Sequence, residues 1–371
     1  MFFTLAPAPD IRLPNHDKFG NYWFSHDDGW EKIDNYWYKG YNYPQINHGN
    51  FLKLELVSDH DVLLKHDVVR GFPLWWNNQT QILTNLLGTG LEIFNDKIVQ
   101  IQNYWLREKH CSNYVSTALK ELSVDTAVDL VCDNLVAKAQ ALASWNVNIP
   151  KRMFLTGGID TATIYSVLQY VGIDVDLVDY EYIKYDWFLN KNFDTIKTKH
   201  WGFKQTHHWD YPVLLATGSY GDEYLMRGPT TTSMWAAFND INILELLTTK
   251  QDSYHHDYFL KDKNTIIFKN CWNSRLAIRK KFKAANDLNN QIINICSNDH
   301  QHWHLGNTMV WTPFKDIELL KISLSMNKKD LTDQILDATL NKTIIKKMYP
   351  KALSMISRQK NINSREHLNN L

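Results

Sequence analysis

The sequence lacks an excess of charge of either sign: Lys and Arg together number 40, and so do Asp and Glu. With no net field, nothing global draws the chain to nucleic acid or to an anionic membrane surface, and neither is expected as a partner. Cysteine is scarce too. Cys111, Cys132, Cys271 and Cys296 lie far apart and never at CxxC spacing, so buried reduced thiols are expected rather than a disulfide framework or a zinc ribbon. No stretch approaches the roughly 18 apolar residues of a membrane span. The opening MFFTLAPAPD carries an apolar run without the basic region of a signal peptide, so a cytoplasmic protein is expected. Internal repeats and low-complexity tracts are missing as well.

Aromatic residues are plentiful: they make up 13% of the chain and include 14 Trp. Their first use is core and interface area. A base-stacking surface would need interleaved basic residues, which are not there. The 371 residues exceed one ordinary core, so two domains are the prior.

Residues 1 to about 110 read as β-rich. FLKLELV (51–57), DVLLKHDVV (61–69) and KIVQIQNYWL (97–106) alternate or carry β-branched residues, with turn residues between them. From about Ser116 the period changes. Leu119, Leu122, Val128, Leu130, Val131 and Leu135 recur at three and four, and Ser123 with Asp125 stands where a helix begins. Then KRMFLTGGIDTATIYSVLQYVG predicts a strand over 153–155, a Gly-Gly turn and a helix over about 161–171; DVDLVDYEY (174–182) predicts a second strand. Such a unit belongs to a parallel α/β sheet. A further strand, 213–216, runs into TGSYGDE, and the remainder to about 350 has mainly helical pattern before a polar tail.

The strand–LTGGIDT–helix segment carries the most chemistry. Gly157 and Gly158 allow backbone conformations that a Cβ forbids, and loop amides at a helix N-terminus make an anion site. Thr156 and Thr161 add hydroxyls. Asp160 would repel a phosphate unless a divalent cation lay between them, and magnesium prefers carboxylate and phosphate oxygens together. No Walker A lysine follows, so a P-loop NTPase is a poor fit.

Thr156-Gly157-Gly158-Ile159-Asp160-Thr161 resembles the SGGxDS pyrophosphate loop of the ATP-pyrophosphatase (PP-loop) superfamily. Three further segments, in order, resemble the asparagine-synthetase branch. Thr217-Gly218-Ser219-Tyr220-Gly221-Asp222-Glu223 is similar to its SGEGADE loop. Thr312-Pro313-Phe314-Lys315-Asp316 is similar to VPFLD. Lys342, Lys346, Tyr349-Pro350 and Arg358-Gln359-Lys360 are similar to the K-x-x-x-R, LP and RxK ending. The resemblance covers roughly 118–362. It implies a parallel-sheet α/β domain over 118–371, preceded by a smaller α+β, Ntn-like amidotransferase domain over 1–117, in which Asp67, Gly71 and Pro73-Leu74-Trp75-Trp76 carry the likeness. That family's glutaminase uses a cysteine right after the initiator Met. Phe2 and Phe3 stand here, so the domain is expected to be silent, as it is in related β-lactam-forming enzymes.

What the resemblance implies is a ligase. A substrate carboxylate attacks the α-phosphorus of ATP, pyrophosphate leaves, and ammonia or an amine displaces AMP. Leu155, Thr156, Gly157, Gly158, Asp160, Thr161, Thr217, Gly218 and Asp222 would bind ATP, Asp160 and Asp222 would hold Mg2+, and Lys360, Lys342 and Lys346 would face the phosphates. A separate glutaminase partner and a homodimer are left open. Met309 and Trp311 stand where the family often has Glu and Arg, pointing to a larger or less polar acid than aspartate. Two other readings stay open: a PP-loop enzyme modifying tRNA or nucleobases, and a non-catalytic nucleotide-binding scaffold.

His300, His302 and His304 alternate along one face, as a zinc or copper site would need, yet only Asp299 is nearby; satisfied or substrate-facing histidines are the preferred reading. His207-His208 and His255-His256 read as surface or core, and Arg279-Lys280-Lys281 as a solvated helix face.

Overall fold

The computed structural model describes residues 2–19, 22–34, 36–40, 51–58, 61–66, 74–77, 79–80, 82–86, 92–93, 98–101, 104–110, 120–144, 148–180, 195–198, 211–249, 266, 269–270, 273–274 and 308–356. Lys360, the three alternating histidines, the other histidine pairs, the 279–281 run and every cysteine but Cys132 lie outside them. Among the described residues, no helix is long and apolar enough to cross a membrane.

The N-terminal part is two six-stranded sheets. Its strands are β1 (Phe3–Ala6), β2 (Asn15–Phe19), β3 (Tyr22–His26), β4 (Glu31–Ile33), β5 (Tyr36–Gly40), β6 (Phe51–Ser58), β7 (Asp61–His66), β8 (Trp75–Asn77), β9 (Ile82–Thr84), β10 (Glu92–Ile93), β11 (Ile98–Ile101) and β12 (Tyr104–His110). One sheet runs β10-β8-β9-β1-β3-β2, the other β11-β12-β7-β6-β5-β4. In β6, Leu52 and Leu54 are buried while Lys53 and Glu55, alternating with them, are partly exposed, which is the period-two pattern of a strand with one face on a core. Leu52, Leu54 and Leu64 share that core with Phe3, Leu5, Tyr22 and Phe24 of the other sheet. Phe24 meets Trp30 edge-on at 5.1 Å and Trp37 at 5.2 Å, so the aromatic wealth is spent on packing.

Among the described residues of 1–117 every regular element is a strand and none is a helix. The alternation in the sequence reads as strand throughout; the helices were implied by the resemblance alone.

The C-terminal part is mixed α/β. Helix α1 (Val124–Ala143) is capped by Ser123, whose Oγ accepts from the Thr126 amide at 3.3 Å. It buries Val128, Val131, Cys132, Leu135, Ala139 and Leu142 on one face. Burial pushes the Cys132 thiol up to about 11, as befits an inert structural cysteine. Next come β13 (Lys151–Phe154), α2 (Ile159–Val171), β14 (Asp176–Tyr180), β15 (Thr195–Thr198) and β16 (Val213–Ala216). After these lie α3 (Gly221–Tyr224), α4 (Pro229–Phe238), α5 (Ile243–Thr249), β17 (Thr308–Trp311), α6 (Ile317–Ser325), α7 (Lys328–Asp337), α8 (Thr339–Met348) and a 3-10 turn (Pro350–Met355). Five strands make one sheet in the order β15-β14-β13-β16-β17, and every pairing is parallel. All four residues of β16 are buried, as a strand covered on both faces requires.

The sheet's third strand in sequence lies at one edge and its fifth at the other, so the order reverses between β13 and β16. In open α/β sheets the crevice at the carboxyl ends of such a strand pair is where ligands bind. The elements around it are tied by a buried ion pair. Lys138 of α1 meets Asp316 at 2.6 Å, with side chains 1% and 0% exposed. Lys138 also donates to the Pro313 carbonyl at 2.8 Å, and Asn134 to Asp316 at 3.0 Å. Asp316 in turn caps α6 by accepting from the Glu318 amide at 2.9 Å.

Breaking a buried pair from one side strands the other charge. Lys138→Met should therefore lower the unfolding free energy by about 3–5 kcal/mol in urea melts, and Lys138→Met with Asp316→Asn should recover part of it. Burial, then Asp316, pushes Glu318 from its ordinary 4.5 up to about 7. Between those values the folded chain holds a proton that the unfolded chain has lost, so stability falls as pH rises through that window. Glu318→Gln should flatten this slope between pH 5 and pH 7.5; an unchanged slope would assign it to another group.

Candidate functional site

Two loops leave the carboxyl ends of the central strands. The first follows β13. The Leu155 amide still donates to the Val178 carbonyl at 2.9 Å, and the chain then turns through Thr156, Gly157 and Gly158 into α2. Gly157 sits at φ +66°, where a side chain is strained. Gly158 caps α2 with no side-chain hydrogen bond, so the helix N-terminus opens onto the loop. The Thr156 and Thr161 hydroxyls lie 2.7 Å apart and bond each other across the turn, and Thr156 Oγ1 accepts from the Gly158 amide at 3.2 Å.

The second loop follows β16. The Thr217 amide donates to the Trp311 carbonyl at 3.0 Å, and the Thr217 hydroxyl folds a tight turn by accepting from the Ser219 amide at 2.9 Å. Tyr220, at φ +69°, then turns the chain into α3. The two loops interlock. A Cβ on Gly218 would stand 2.5 Å from the Thr161 nitrogen and 2.6 Å from the Asp160 carbonyl carbon. One on Gly221 would collide with the Asp160 carboxylate. Gly218 is needed for backbone-to-backbone approach and Gly221 for room beside the Asp160 side chain, and together they bring Asp160 and Asp222 close.

Between these aspartates lies Arg227, 1% exposed. Its Nη2 contacts Asp160 Oδ1 and lies 3.1 Å from Asp222 Oδ1; the aspartate side chains are 18% and 31% exposed. Burial pushes the Asp160 carboxyl up to about 7; Arg227 pulls it down, and Asp222 raises it again. From α8, Asn341 donates to Asp160 Oδ1 at 3.3 Å and to Thr163 at 3.1 Å. Gln334 of α7 holds Asn341 at 2.8 Å and also donates to the Leu225 carbonyl at 3.1 Å. The segment resembling VPFLD closes one side, with buried Lys315 4.7 Å above the Tyr220 ring.

The structure thus gathers Thr156, Gly157, Gly158, Asp160, Thr161, Thr217, Gly218 and Asp222 at one crevice, with Leu155 behind them in the core. Of the three lysines, Lys360 lies outside the described residues, Lys346 is exposed, and Lys342 is half-buried, its ammonium pushed down by burial, with Asp337 opposing and Lys346 adding to the shift. The side chain α8 sends to Asp160 is Asn341, and the cation at the aspartates is Arg227; sequence reasoning gave neither a role. Met309 and Trp311, where the resemblance has Glu and Arg, both belong to the buried core.

Among the described residues, no three His, Cys, Asp or Glu side chains gather as a metal site. Two carboxylates completed by phosphate oxygens and water are, however, the donor set magnesium usually takes, and Asp160 with Asp222 fits it. No family model matches the chain, and no curated protein matches it.

Gly218→Ala must push two backbones apart, whereas a Cβ at Gly158 would meet only the Thr156 hydroxyl, at 3.2 Å. Gly218→Ala should cost about 1–3 kcal/mol in denaturant melts, as overpacking does, and Gly158→Ala less than about 1 kcal/mol. Equal costs would mean the loops do not interlock.

Proposed function

We propose that this chain is a magnesium- and ATP-dependent ligase resembling asparagine synthetase, which adenylates a carboxylate with release of pyrophosphate and passes the acyl group to ammonia or an amine. One observation carries the reading: the two glycine loops meet at the strand-order reversal of an all-parallel sheet, with Asp160 and Asp222 side by side. The four motifs resembling the PP-loop superfamily support it.

In this reading the amides of the Gly157-Gly158 turn and the N-terminus of α2 receive phosphate oxygens. Asp160 and Asp222 hold magnesium, which when bound supplies positive charge opposite the leaving pyrophosphate. Fixing ATP in one pose lines the attacking carboxylate up with the α-phosphorus. The N-terminal part would be an amidotransferase-like module without glutaminase activity. Phe2 and Phe3, 3% and 1% exposed, are packing residues where the nucleophile would be, which supports an external ammonia or amine source.

A second reading, a nucleotide-binding scaffold without chemistry, draws on Arg227, which already compensates the aspartate pair. One experiment separates the two. Calorimetry with a non-hydrolysable ATP analogue and Mg2+ should give micromolar binding, weakened at least about tenfold in Asp222→Ala, and carboxylic acids with ammonium should then drive pyrophosphate release. Binding without pyrophosphate release from any acid would favour the scaffold. Absence of binding at millimolar analogue would sink both.

A further inference from the structure

The geometry points to Arg227 as the positioning residue that makes the two aspartates a single cation site. This inference rests on the nucleotide reading above and gives the chain's own arginine a role in it.

Arg227 reaches the pair from the protein side. Its side chain is 1% exposed, while the aspartates keep 18% and 31% of theirs open. Arg227 and Asn341 both address Oδ1 of Asp160, and Arg227 addresses Oδ1 of Asp222. The second oxygen of each carboxylate lies outside these contacts. A guanidinium held there fixes the direction of both carboxylates without covering the side a cation would use, and it offsets the repulsion between two like charges.

The backbone is arranged to aim it. Asp222 O accepts from the Arg227 amide at 2.6 Å and from the Gly228 amide at 2.5 Å, so the arginine is clipped to the residue it must orient. Met226, just before it, is held at φ +56°, and its carbonyl accepts from Thr232 Oγ1 at 3.2 Å. A methionine in the left-handed region is strained, and strain of this kind persists where the surroundings enforce it. Here it turns Arg227 inward, across to the first loop. The residue therefore joins the loops as well as the charges.

A group that only orients metal ligands affects nucleotide binding through the metal alone. The test compares binding of the non-hydrolysable ATP analogue with and without Mg2+, in wild type, Arg227→Met and Arg227→Lys, with thermal melts reporting on the fold. In wild type Mg2+ should tighten binding at least about tenfold. In Arg227→Met the metal-free affinity should stay within about twofold of wild type while the gain from Mg2+ falls below about twofold; Arg227→Lys should recover an intermediate gain. Equal losses with and without Mg2+ would make Arg227 a phosphate contact, and tighter Mg2+-dependent binding in Arg227→Met would make it a competitor of the metal. Either result, or an unchanged gain, overturns the proposal. Should Arg227→Met not fold, Arg227→Lys decides alone: an undiminished gain from Mg2+ overturns it. Wild-type protein that binds no analogue at all would remove the nucleotide reading itself, a separate outcome from these.

Discussion

Two partly buried carboxylates side by side repel each other and resist losing water, and the C-terminal part of this chain holds Asp160 and Asp222 in that condition. The parallel sheet brings two strand ends together at its order reversal. Gly218 lets the loops that follow touch at the backbone, and Gly221 leaves room for the Asp160 side chain. Arg227 supplies one positive charge for two negative ones; burial above all, with Asp222 adding to it, pushes Asp160 up to about 7 against the pull of Arg227. Gln334 and Asn341 then carry the constraint outward to α7 and α8. Such an under-compensated pair in a crevice is the electrostatic condition that functional sites are built to create.

Much of this was legible in the sequence, for physical reasons. The strand over 213–216 is a short, wholly apolar run followed by glycine, and the structure ends β16 at the same residue. The Gly157-Gly158 turn declares itself because few other residues could take it. Ser123 announces α1 because a hydroxyl before an apolar period is the local solution for unpaired amides. Strands β15 and β17 went unread: β15 (Thr195–Thr198) has a single apolar residue where β16 is wholly apolar, and the segment before α6 reads as helical. Arg227 was hidden for a different reason: a buried arginine is written like an exposed one, and only tertiary structure puts it between carboxylates from two loops. Met309 and Trp311 were noticed for departing from the resemblance, and the structure shows that both are core residues.

The N-terminal part follows another logic. Its two sheets share one aromatic core, and β1 lies between β9 and β3 in the first sheet. Phe2 and Phe3 are neighbours in sequence yet belong to different cores. Phe3 packs with Phe24 and Trp30, whereas Phe2 joins the cluster that contains α1 and the parallel sheet. Leu13 and Leu86 make the same crossing. The start of β1 is therefore a seam between the two halves; within the N-terminal half the Phe3 amide donates to Asn85 at 2.8 Å and the Phe2 carbonyl accepts from the Asp27 amide at 3.1 Å.

The contact between Asn341 and Asp160 spans 181 positions, and that from the Val124 amide to Asp330 spans 206. Contacts of such separation close late, because the loop entropy must be lost before they form. On the ribosome the consequence is temporal. The first glycine loop and its aspartate emerge early, Arg227 follows, and the bracing from α8 arrives only when residue 341 has cleared the exit tunnel. Between the synthesis of residues 227 and 341 the growing chain carries an aspartate pair braced by Arg227 but not yet by Asn341, so this half of the protein matures as a unit near the end of translation and not piece by piece.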